Sequence, residues 1–329
     1  DDMWNGGPTT IGGGVAHDLY DRGIGSLFKA MFGSVSTTGA GPYTHTFTPG
    51  DLTDNSLTVQ KGVPDVAGTV HPLTFGGMFV SSWEIGVEQG AVASVGLTFA
   101  GMNAQTGSRT VTDGATTNTD ATVTSASGAF TAADVGKSIS GTGIPAGATI
   151  ASINSGTSVE ISAAATATAT GLTVVIGKAL ATASYASGAK LVKFNHGAVT
   201  IGGSAVPVKS ATLAGDNGLD VERRFLGTRN ISAPLEADLR SYTGSLDVEF
   251  NDLTQYNRYL AGDTFALVLA FTVGAYSLTV TTNARYEPGQ TPQVGGPGIV
   301  GQSLGYKCLG STDAAAITAV LVNGDSTVA

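Results

Sequence analysis

The stretch LDVEFNDLTQYNRYLAGDTFALVLAF, which begins at Leu246, constrains the fold of this chain more than any other segment. Leu246, Val248 and Phe250 are apolar and alternate with the acidic residues Asp247 and Glu249. Because successive side chains of a β-strand point to opposite faces of a sheet, this alternation predicts a strand with one packed face and one solvated, acidic face.

The rest of the same stretch predicts a short helix followed by a second strand. Asn251 and Asp252 are suitable N-caps for the helix, and Gly262 is a suitable C-cap. The apolar stripe of this helix consists of Leu253, Tyr256 and Leu260. The apolar run at 265–271 is much shorter than the ~20 residues that a membrane helix needs, so we expect a strand covered on both faces.

Composition indicates a β-rich protein with little charged surface. Charged residues make up only 12% of the 329 residues, and 47 residues are glycine. This usage is typical of many short strands joined by glycine turns, in one domain or in two. Because a soluble monomer usually carries more charge, coverage of the surface by copies of the same chain is one explanation.

The charge balance and the cysteine content argue against several functional classes. Acidic residues outnumber basic ones by 25 to 16, and the net charge of −9 argues against nucleic-acid binding as an affinity function. Cys308 is the only cysteine, which excludes an intramolecular disulfide and argues against thiolate metal sites. No apolar run in the sequence reaches the ~18 residues of a membrane span, so no membrane partner is expected.

Two segments near the N-terminus lack strand patterning, and a helix lies between them. Residues 1–16 are rich in glycine and predict a loop or arm in which Trp4 is the one residue able to pack. Apolar residues at helical spacing predict an amphipathic helix over 19–32, with Gly33 as its C-cap. Residues 62–72 predict a long loop that can reach a neighbouring subunit.

The middle of the chain differs in composition from both ends. From 108 to 177 it consists mostly of Thr, Ala, Ser and Gly with short Val and Ile alternations, which predicts a small all-β module. The first and last strands of this segment, predicted at 109–112 and 172–176, are expected to be neighbours, as in an inserted domain. The sequence therefore predicts one discontinuous domain, 1–107 and 178–329, interrupted by 108–177.

A second strand repeats the acidic pattern of the first. Trp83, Ile85 and Val87 alternate with Glu84 and Glu88. The carboxylate pairs of the two strands, Glu84/Glu88 and Asp247/Glu249, admit three interpretations: an ordinary solvated face, the two acids of a glycosidase, or an acidic lining that faces a negatively charged polymer.

Residues with metal-binding or catalytic chemistry do not form a recognisable constellation. The histidines, His17, His45, His71 and His196, lack metal-ligand spacing, so no metal site and no cofactor are predicted. The sequence DNGLD at 216–220 lacks the acid spacing of a calcium loop and predicts a turn. Glu222, Arg223, Arg224 and Arg229 form a charged cluster that is either solvated or paired with another subunit.

Several segments together resemble the tail tube proteins of bacteriophages with long, non-contractile tails. The resemblance rests on the order and texture of the predicted helix, SSWEIGVEQG at 81–90, SVGLTFAGM at 94–102, KFNHGAVTIGG at 193–203, the stretch from Leu246, and ARYEPGQTPQVGGPGIVGQSLGYKCLG at 284–310. It covers 15–107 and 178–323. The segment AFTAADVGKSISGTGIPAGATI at 129–150 is similar to a small Ig-like β module found in varied phage structural proteins.

The resemblance implies a fold and a function. The fold is mainly β, a tail-tube-type β-sandwich or half-barrel with one flanking helix, and the inserted module is an outward-facing decoration. The function is that of a non-enzymatic siphophage virion protein, assembled in the host cytoplasm into stacked hexameric rings. Its partners are copies of itself, other tail proteins and the phage DNA in transit, which an acidic lumen keeps from sticking.

The resemblance also implies roles for particular residues. The lumen-lining candidates are Glu84, Glu88, Asp247 and Glu249. The inter-subunit candidates are Trp4, Asp65, Glu222, Arg223, Arg224, Arg229 and Tyr286. The arm at 1–16 and the loops at 62–72 and 286–300 are candidates for contacts between rings.

Two other functional classes remain open on the sequence. A surface adhesin or binding module of β type would share the Gly, Thr and Ser composition and an exposed segment at 108–177. A polysaccharide-active enzyme would use the carboxylate pairs as catalysts.

Overall fold

The structure is a computed structural model that describes residues 8–288, 291–292, 297–310 and 315–328. Trp4 and parts of the 1–16 arm and of the 286–300 loop lie outside these residues. The chain forms two compact units. The larger unit comprises Asp1–Leu57, Met78–Ala100 and Ser184–Ala329, and the smaller unit comprises Thr58–Gly77 and Gly101–Ala183.

The described residues form twenty strands and two α-helices. The strands of the first half are β1 Ile11–Asp18, β2 Gly33–Thr38, β3 Tyr43–Pro49, β4 Leu57–Pro64, β5 Val70–Glu88, β6 Ser94–Thr106, β7 Ser108–Thr116, β8 Thr122–Thr124, β9 Ile139–Ser140, β10 Ile150–Ser155 and β11 Ser158–Ile161. Those of the second half are β12 Ala169–Gly177, β13 Gly197–Ile201, β14 Ser204–Ala205, β15 Val208–Asp216, β16 Ser241–Glu249, β17 Thr264–Val273, β18 Tyr276–Tyr286, β19 Gly301–Cys308 and β20 Ile317–Asn323. The helices are α1 Gly25–Phe32 and α2 Thr254–Ala261.

One long sheet organises the larger unit. Its order is β1, β6, β5, β15, β16, β19, β18, β17, β13 and β14, and β20 pairs with both β18 and β3. The central pairs, β5 with β15 and β15 with β16, are antiparallel. The mainly β, half-barrel fold predicted from the sequence is confirmed.

Helix α1 packs an aromatic cluster against the inner face of this sheet. Phe28 and Phe32 are 0% and 1% exposed, and their ring centroids lie 5.5 Å from Phe47 and 5.4 Å from Trp83, respectively. Such ring pairs stabilise by about 0.5–1.5 kcal/mol beyond the burial of their area. The helix predicted over 19–32 is too long, because Gly23 adopts a positive φ of 78° and the helix begins only after it.

The structure confirms the strand, helix and strand predicted for the stretch from Leu246. The apolar residues of its helix and of its second strand are, however, less buried than the sequence indicates. In β16, Leu246 and Val248 are buried at 0% and 4% exposure, whereas Asp247 is exposed, as the alternation predicted. In β17, by contrast, only alternate residues are buried, and Ala266 is exposed. The prediction that 265–271 is covered on both faces is therefore wrong for the isolated chain.

Helix α2 ends as predicted but packs differently. Gly262 adopts the left-handed conformation at φ 69°, and the Asp252 carboxylate accepts the N–H of Thr254 at 2.7 Å. Leu253 and Leu260 are 56% and 63% exposed, so the predicted apolar stripe of this helix does not pack within the chain.

Polar side chains attach α2 to the sheet instead. The Tyr286 hydroxyl donates to Gln255 Oε1 at 2.8 Å, and the Arg258 guanidinium lies 5.1 Å from the centroid of the Phe265 ring. These contacts place the two exposed leucines on the solvated side of the helix.

Both segments predicted as loops contain strand. Residues 11–16 belong to β1, which pairs with β6. Strands β4 and β5 pair and take up most of 62–72, leaving 65–69 as the turn. Pairing within the chain, which the glycine and proline content obscured, explains both errors.

The six-stranded sheet of the smaller unit has the order β10, β11, β8, β7, β12 and β9. Strands β7 and β12 are antiparallel neighbours, with Ser108 opposite Gly177, as expected for the first and last strands of this segment. The smaller compact unit also takes in Thr58–Gly77 and residues flanking 108–177. The interpretation of 108–177 as a separate, Ig-like inserted domain therefore stays a prediction.

A buried carboxylate links the strands of the smaller unit to their connecting loops. Asp134 is 1% exposed and accepts two hydrogen bonds from the Arg109 guanidinium, at 2.8 and 2.7 Å, and one from Lys137 Nζ at 2.9 Å. The hydrogen bond from Arg109 is the main cause that lowers the pKa of Asp134 below its ordinary range.

The helices of the described residues are short. Both α1 and α2 contain 8 residues. Across the described ranges, no helix has the length and the apolar content needed to cross a membrane.

Candidate functional site

The predicted acidic residues lie on one solvated face of the central strands of the larger unit. One row across β5, β15, β16 and β19 is Glu88, Ser210, Asp247 and Ser303. Another row is Glu84, Ala214, Thr243 and Lys307. Side chains of one row stand about 5 Å from their neighbours, so these rows bring Glu84, Glu88 and Asp247 onto a common surface. We call this surface the acidic face.

Local structure explains why these carboxylates face solvent. Their neighbours in sequence, Trp83, Ile85 and Leu246, are at most 3% exposed and pack into the core of the sheet. The period of two then fixes Glu84 and Asp247 on the opposite side.

The carboxylates of the acidic face differ in their partners. Asp247 Oδ2 accepts the Ser210 hydroxyl at 2.9 Å, and Glu249 Oε1 lies 3.1 Å from Lys209 Nζ. The charge of Glu249 is therefore partly balanced within its own chain. Asp216, which the sequence analysis interpreted as part of a turn, is exposed opposite Ser82 on the same face.

Basic residues mark the other end of the face. Lys307 is exposed on β19 opposite Thr243, and Arg285 is exposed on β18 opposite Lys307. Negative charge is thus concentrated on β5, β15 and β16, whereas positive charge lies on β18 and β19.

A shallow trough of about 720 Å³ lies on the acidic face. Its lining includes Ser82, Glu84, Thr98, Asp216, Ser241 and Thr243. Among the described residues, no group of three His, Cys, Asp or Glu side chains is placed to hold a metal ion. The described residues that line the trough offer hydroxyls and carboxylates but include no Lys or Arg side chain. An anionic polymer such as a chain of phosphates can therefore pass close to it without being bound.

The inter-subunit candidates occupy different environments. Asp65 is exposed in the turn between β4 and β5, where its carboxylate accepts the N–H groups of Ala67 and Thr69 and lies 2.9 Å from His71 Nε2. The hydrogen bond from His71 is the largest cause of the lowered pKa of Asp65. Asp65 thus organises its own turn, and a contact with another copy stays a prediction.

Tyr286 is buried at 6% exposure, with its ring centroid 4.5 Å from that of Phe265. Burial raises the pKa of its hydroxyl to about 12. The side chain therefore belongs to the core of its own chain, and its proposed contact with another subunit stays a prediction.

The charged cluster at 222–229 lies in the connection between β15 and β16. Glu222 pairs with Arg224, whose Nη2 donates to the carbonyl of Thr9 at 3.3 Å. The carbonyl of Arg229 accepts the N–H of Thr9 at 2.8 Å. Thr9 of the 1–16 arm thus contacts this cluster within the chain.

The sequence analysis missed an apolar component of the same connection. Phe225 and Leu226 are 56% and 104% exposed, and Leu239 is 90% exposed. The sequence does contain an indication of this apolar component, because Phe and Leu stand inside a charged, glycine-containing segment.

Comparison with known proteins decides the family. A family model described as phage tail tube protein matches residues 5–162 and again residues 146–308. The chain belongs to the phage tail tube protein family. The tube protein is therefore a structural component of a phage tail, and the resemblance to phage tail tube proteins inferred from its sequence is confirmed. No curated protein matches the chain.

Proposed function

We propose that this tube protein forms stacked rings, hexameric by resemblance to the tubes of long, non-contractile tails, and that the acidic face lines the channel through which phage DNA passes. The observation that carries the proposal is that apolar and acidic side chains lie on opposite faces of the central sheet. Its inner face packs Trp83 and Leu246, and its solvated face carries Glu84, Glu88 and Asp247.

Such a face suits a channel because it repels the polymer that moves through it. DNA carries one negative charge per ~1.7 Å of its axis, so a carboxylate lining offers no site at which phosphates bind. Exposed charges act over a Debye length of about 8 Å at physiological salt, which keeps the repulsion close to the wall.

The sheet also has edges that favour ring formation. Strands β1 and β14 are the two ends of the main strand order within the described residues. Unpaired strand edges are templates for pairing with another chain, and a head-to-tail contact that closes on itself generates a ring. Membership in a structural family supports a non-enzymatic role, assembly in the host cytoplasm and contacts with other tail proteins.

Electron microscopy of the purified chain tests the assembly. Rings or hollow rods are expected, and image averages give the number of copies in each ring. A chain that remains monomeric at all protein concentrations contradicts the proposal and favours an adhesin or binding module.

Charge reversal tests the channel lining. Glu84→Lys, Glu88→Lys and Asp247→Lys together create basic residues on the acidic face, so assembled tubes should retain double-stranded DNA in a co-sedimentation assay and release it as salt is raised. Asp54→Lys, an exposed residue outside this face, is the control and should leave the tubes unable to retain DNA. If both variants retained the same amount of DNA, the proposal that the acidic face lines the channel would be contradicted.

A further inference from the structure

The connection between β15 and β16 contains an ordered hairpin-like segment, residues 219–236, which we call the finger. Its two arms are joined by backbone hydrogen bonds, from Asp220 N–H to the carbonyl of Leu235 and from Ser232 N–H to the carbonyl of Arg223, both at 2.8 Å. Ile231 is 5% exposed and anchors the finger. The finger is therefore ordered before it meets any partner, which lowers the entropic cost of docking.

The tip of the finger presents apolar side chains to solvent. Thr228 N–H donates to the carbonyl of Phe225 at 3.2 Å, and Gly227 has φ +87°. This geometry is that of a type II turn with Leu226 at its first central position, where the side chain points outward. Leu226 is 104% exposed and Phe225 is 56% exposed. The tip therefore offers an apolar surface that a partner can cover.

An apolar hollow of about 470 Å³ opens elsewhere on the larger unit, and we call it the mouth. Its lining includes Val87, Ala198, Val206, Ala211, Leu269 and Phe271. Its volume falls within the roughly 300–1,000 Å³ of sites that bury a small ligand, so it can accept an aromatic and an aliphatic side chain together.

The finger and the mouth lie at opposite ends of the same strand. Val208, the first residue of β15, lines the mouth, and Asp216, the last residue of β15, precedes the finger. A strand of 9 residues spans about 30 Å. If copies stack along the direction of β15, the finger of one copy comes towards the mouth of the next, which is a heterologous contact that can repeat along a tube.

Charged side chains lie near both surfaces. The Arg223 guanidinium lies 4.9 Å from the centroid of the Phe225 ring, next to the tip. Ser210, which lines the mouth, stands between Glu88 and Asp247 in the sheet. Lys209, also in the lining, is paired with Glu249. Among the described residues, Lys209 is the one charged side chain of the lining, and Glu249 balances its charge, so the hollow offers an apolar surface to the tip.

We propose that the finger of one copy docks in the mouth of a second copy in the next ring, with Phe225 and Leu226 filling the apolar hollow. This inference rests on the proposed function, because it assigns the contact that joins successive rings. The occupant of the mouth is therefore another copy of this chain.

The first test compares Leu226→Asp with the wild-type tube protein. The variant should still form rings, whereas the critical concentration for hollow rods, measured by sedimentation and electron microscopy, should rise tenfold or more because a charge replaces the buried tip. Tyr185→Asp is the matched control, since Tyr185 is 87% exposed outside the finger, the mouth and the ring-contact candidates, and it should elongate normally. Circular dichroism confirms that both variants are folded.

The possible outcomes separate the two proposals. Absence of rings and rods from the wild-type protein contradicts the proposed function. Rods formed by Leu226→Asp at the wild-type concentration overturn the finger contact while leaving the tube intact, and a small apolar molecule resident in the mouth would give this same result.

The second test joins the two surfaces directly. Leu226→Cys combined with Ala198→Cys should give a ladder of covalent multimers when assembled tubes are treated with a short bis-maleimide, which adds one thiol at each end. Cys308 is 6% exposed and stays outside the reaction. Tyr185→Cys combined with Ala198→Cys is the control, since Tyr185 is exposed outside both surfaces. The same ladder from both pairs, or none from the first pair, overturns the docking of the finger in the mouth.

Discussion

Replacement of Asp134 by alanine should destabilise the smaller unit more than any other single loss of a carboxylate there. The side chain is 1% exposed and accepts hydrogen bonds from two cations, Arg109 and Lys137, and from the N–H of Thr131 at 3.0 Å. Breaking a buried ion pair by removing one partner costs about 3–5 kcal/mol.

The expected magnitude is near the lower end of that range. The side chains of Arg109 and Lys137 are 35% and 21% exposed, so water can replace part of what the carboxylate provides. We therefore expect a loss of about 3 kcal/mol, which corresponds to a fall in melting temperature of at least about 10 °C for a unit of this size.

Backbone hydrogen exchange measures this change locally. Exchange of the amides of β7 and β12 should accelerate in Asp134→Ala at pH 7, while the amides of β16 and β19 in the larger unit should be unaffected. The matched control is Asp113→Ala. The pKa of Asp113 is lowered to about 2, mainly by the hydroxyl of Ser125, but no cation pairs with it, so its loss should cost less.

The pH dependence supplies a second criterion. The pKa of Asp134 in the folded state lies below its ordinary value of 3.8, so its stabilisation is present above about pH 4 and is lost as the pH falls through the lowered value. The difference between wild type and Asp134→Ala should therefore shrink in acid. Equal exchange rates at pH 7, or a difference that grows in acid, would refute this reasoning.

Two further predictions concern the larger unit. Gly244→Ala should lower the free energy of unfolding by about 2–3 kcal/mol in urea denaturation, because a Cβ would lie 2.2 Å from the carbonyl oxygen of Thr212 and 2.4 Å from the hydroxyl of Tyr306. Gly305→Ala, whose Cβ meets nothing within 4 Å, is the control, and equal losses would contradict the steric argument. Burial raises the pKa of Cys308 to about 11, so at pH 8 the native thiol should react with a disulfide reagent far more slowly than the thiol in urea. Equal rates would mean that β19 opens readily.

The sequence was most informative where a period of two ran through a strand. The alternation around Trp83 and Leu246 correctly predicted that these two side chains are buried and that Glu84, Glu88 and Asp247 are exposed. Val87 and Phe250, which the same alternation placed on the packed faces, are only half-buried. The helix at 19–32 was predicted too long because its pattern of apolar residues continues across Gly23, whose positive φ is visible only in the structure. Leu253 and Leu260 show the converse limit, since an apolar stripe on a helix indicates burial without saying which chain supplies it.

The contacts between distant residues could not be predicted from the sequence. Arg109 and Asp134 meet because the fold brings β7 next to the loop that contains Asp134, and neither residue has a local motif that indicates its partner. The charged cluster at 222–229 was predicted from the sequence, but the apolar tip beside it depends on the turn at Gly227. The pairing of Lys209 with Glu249 likewise depends on the register of β15 with β16.

The placement of the finger and the mouth at opposite ends of β15 makes the subunit directional. In a tube built from such subunits, one end exposes unoccupied fingers and the other end exposes unoccupied mouths. Proteins that terminate the tube must then be of two chemical kinds, one offering a hollow and the other an apolar plug. A tube that starts on one end-binding protein can grow only at its other end. The length of the tube is then set by the protein that blocks this other end.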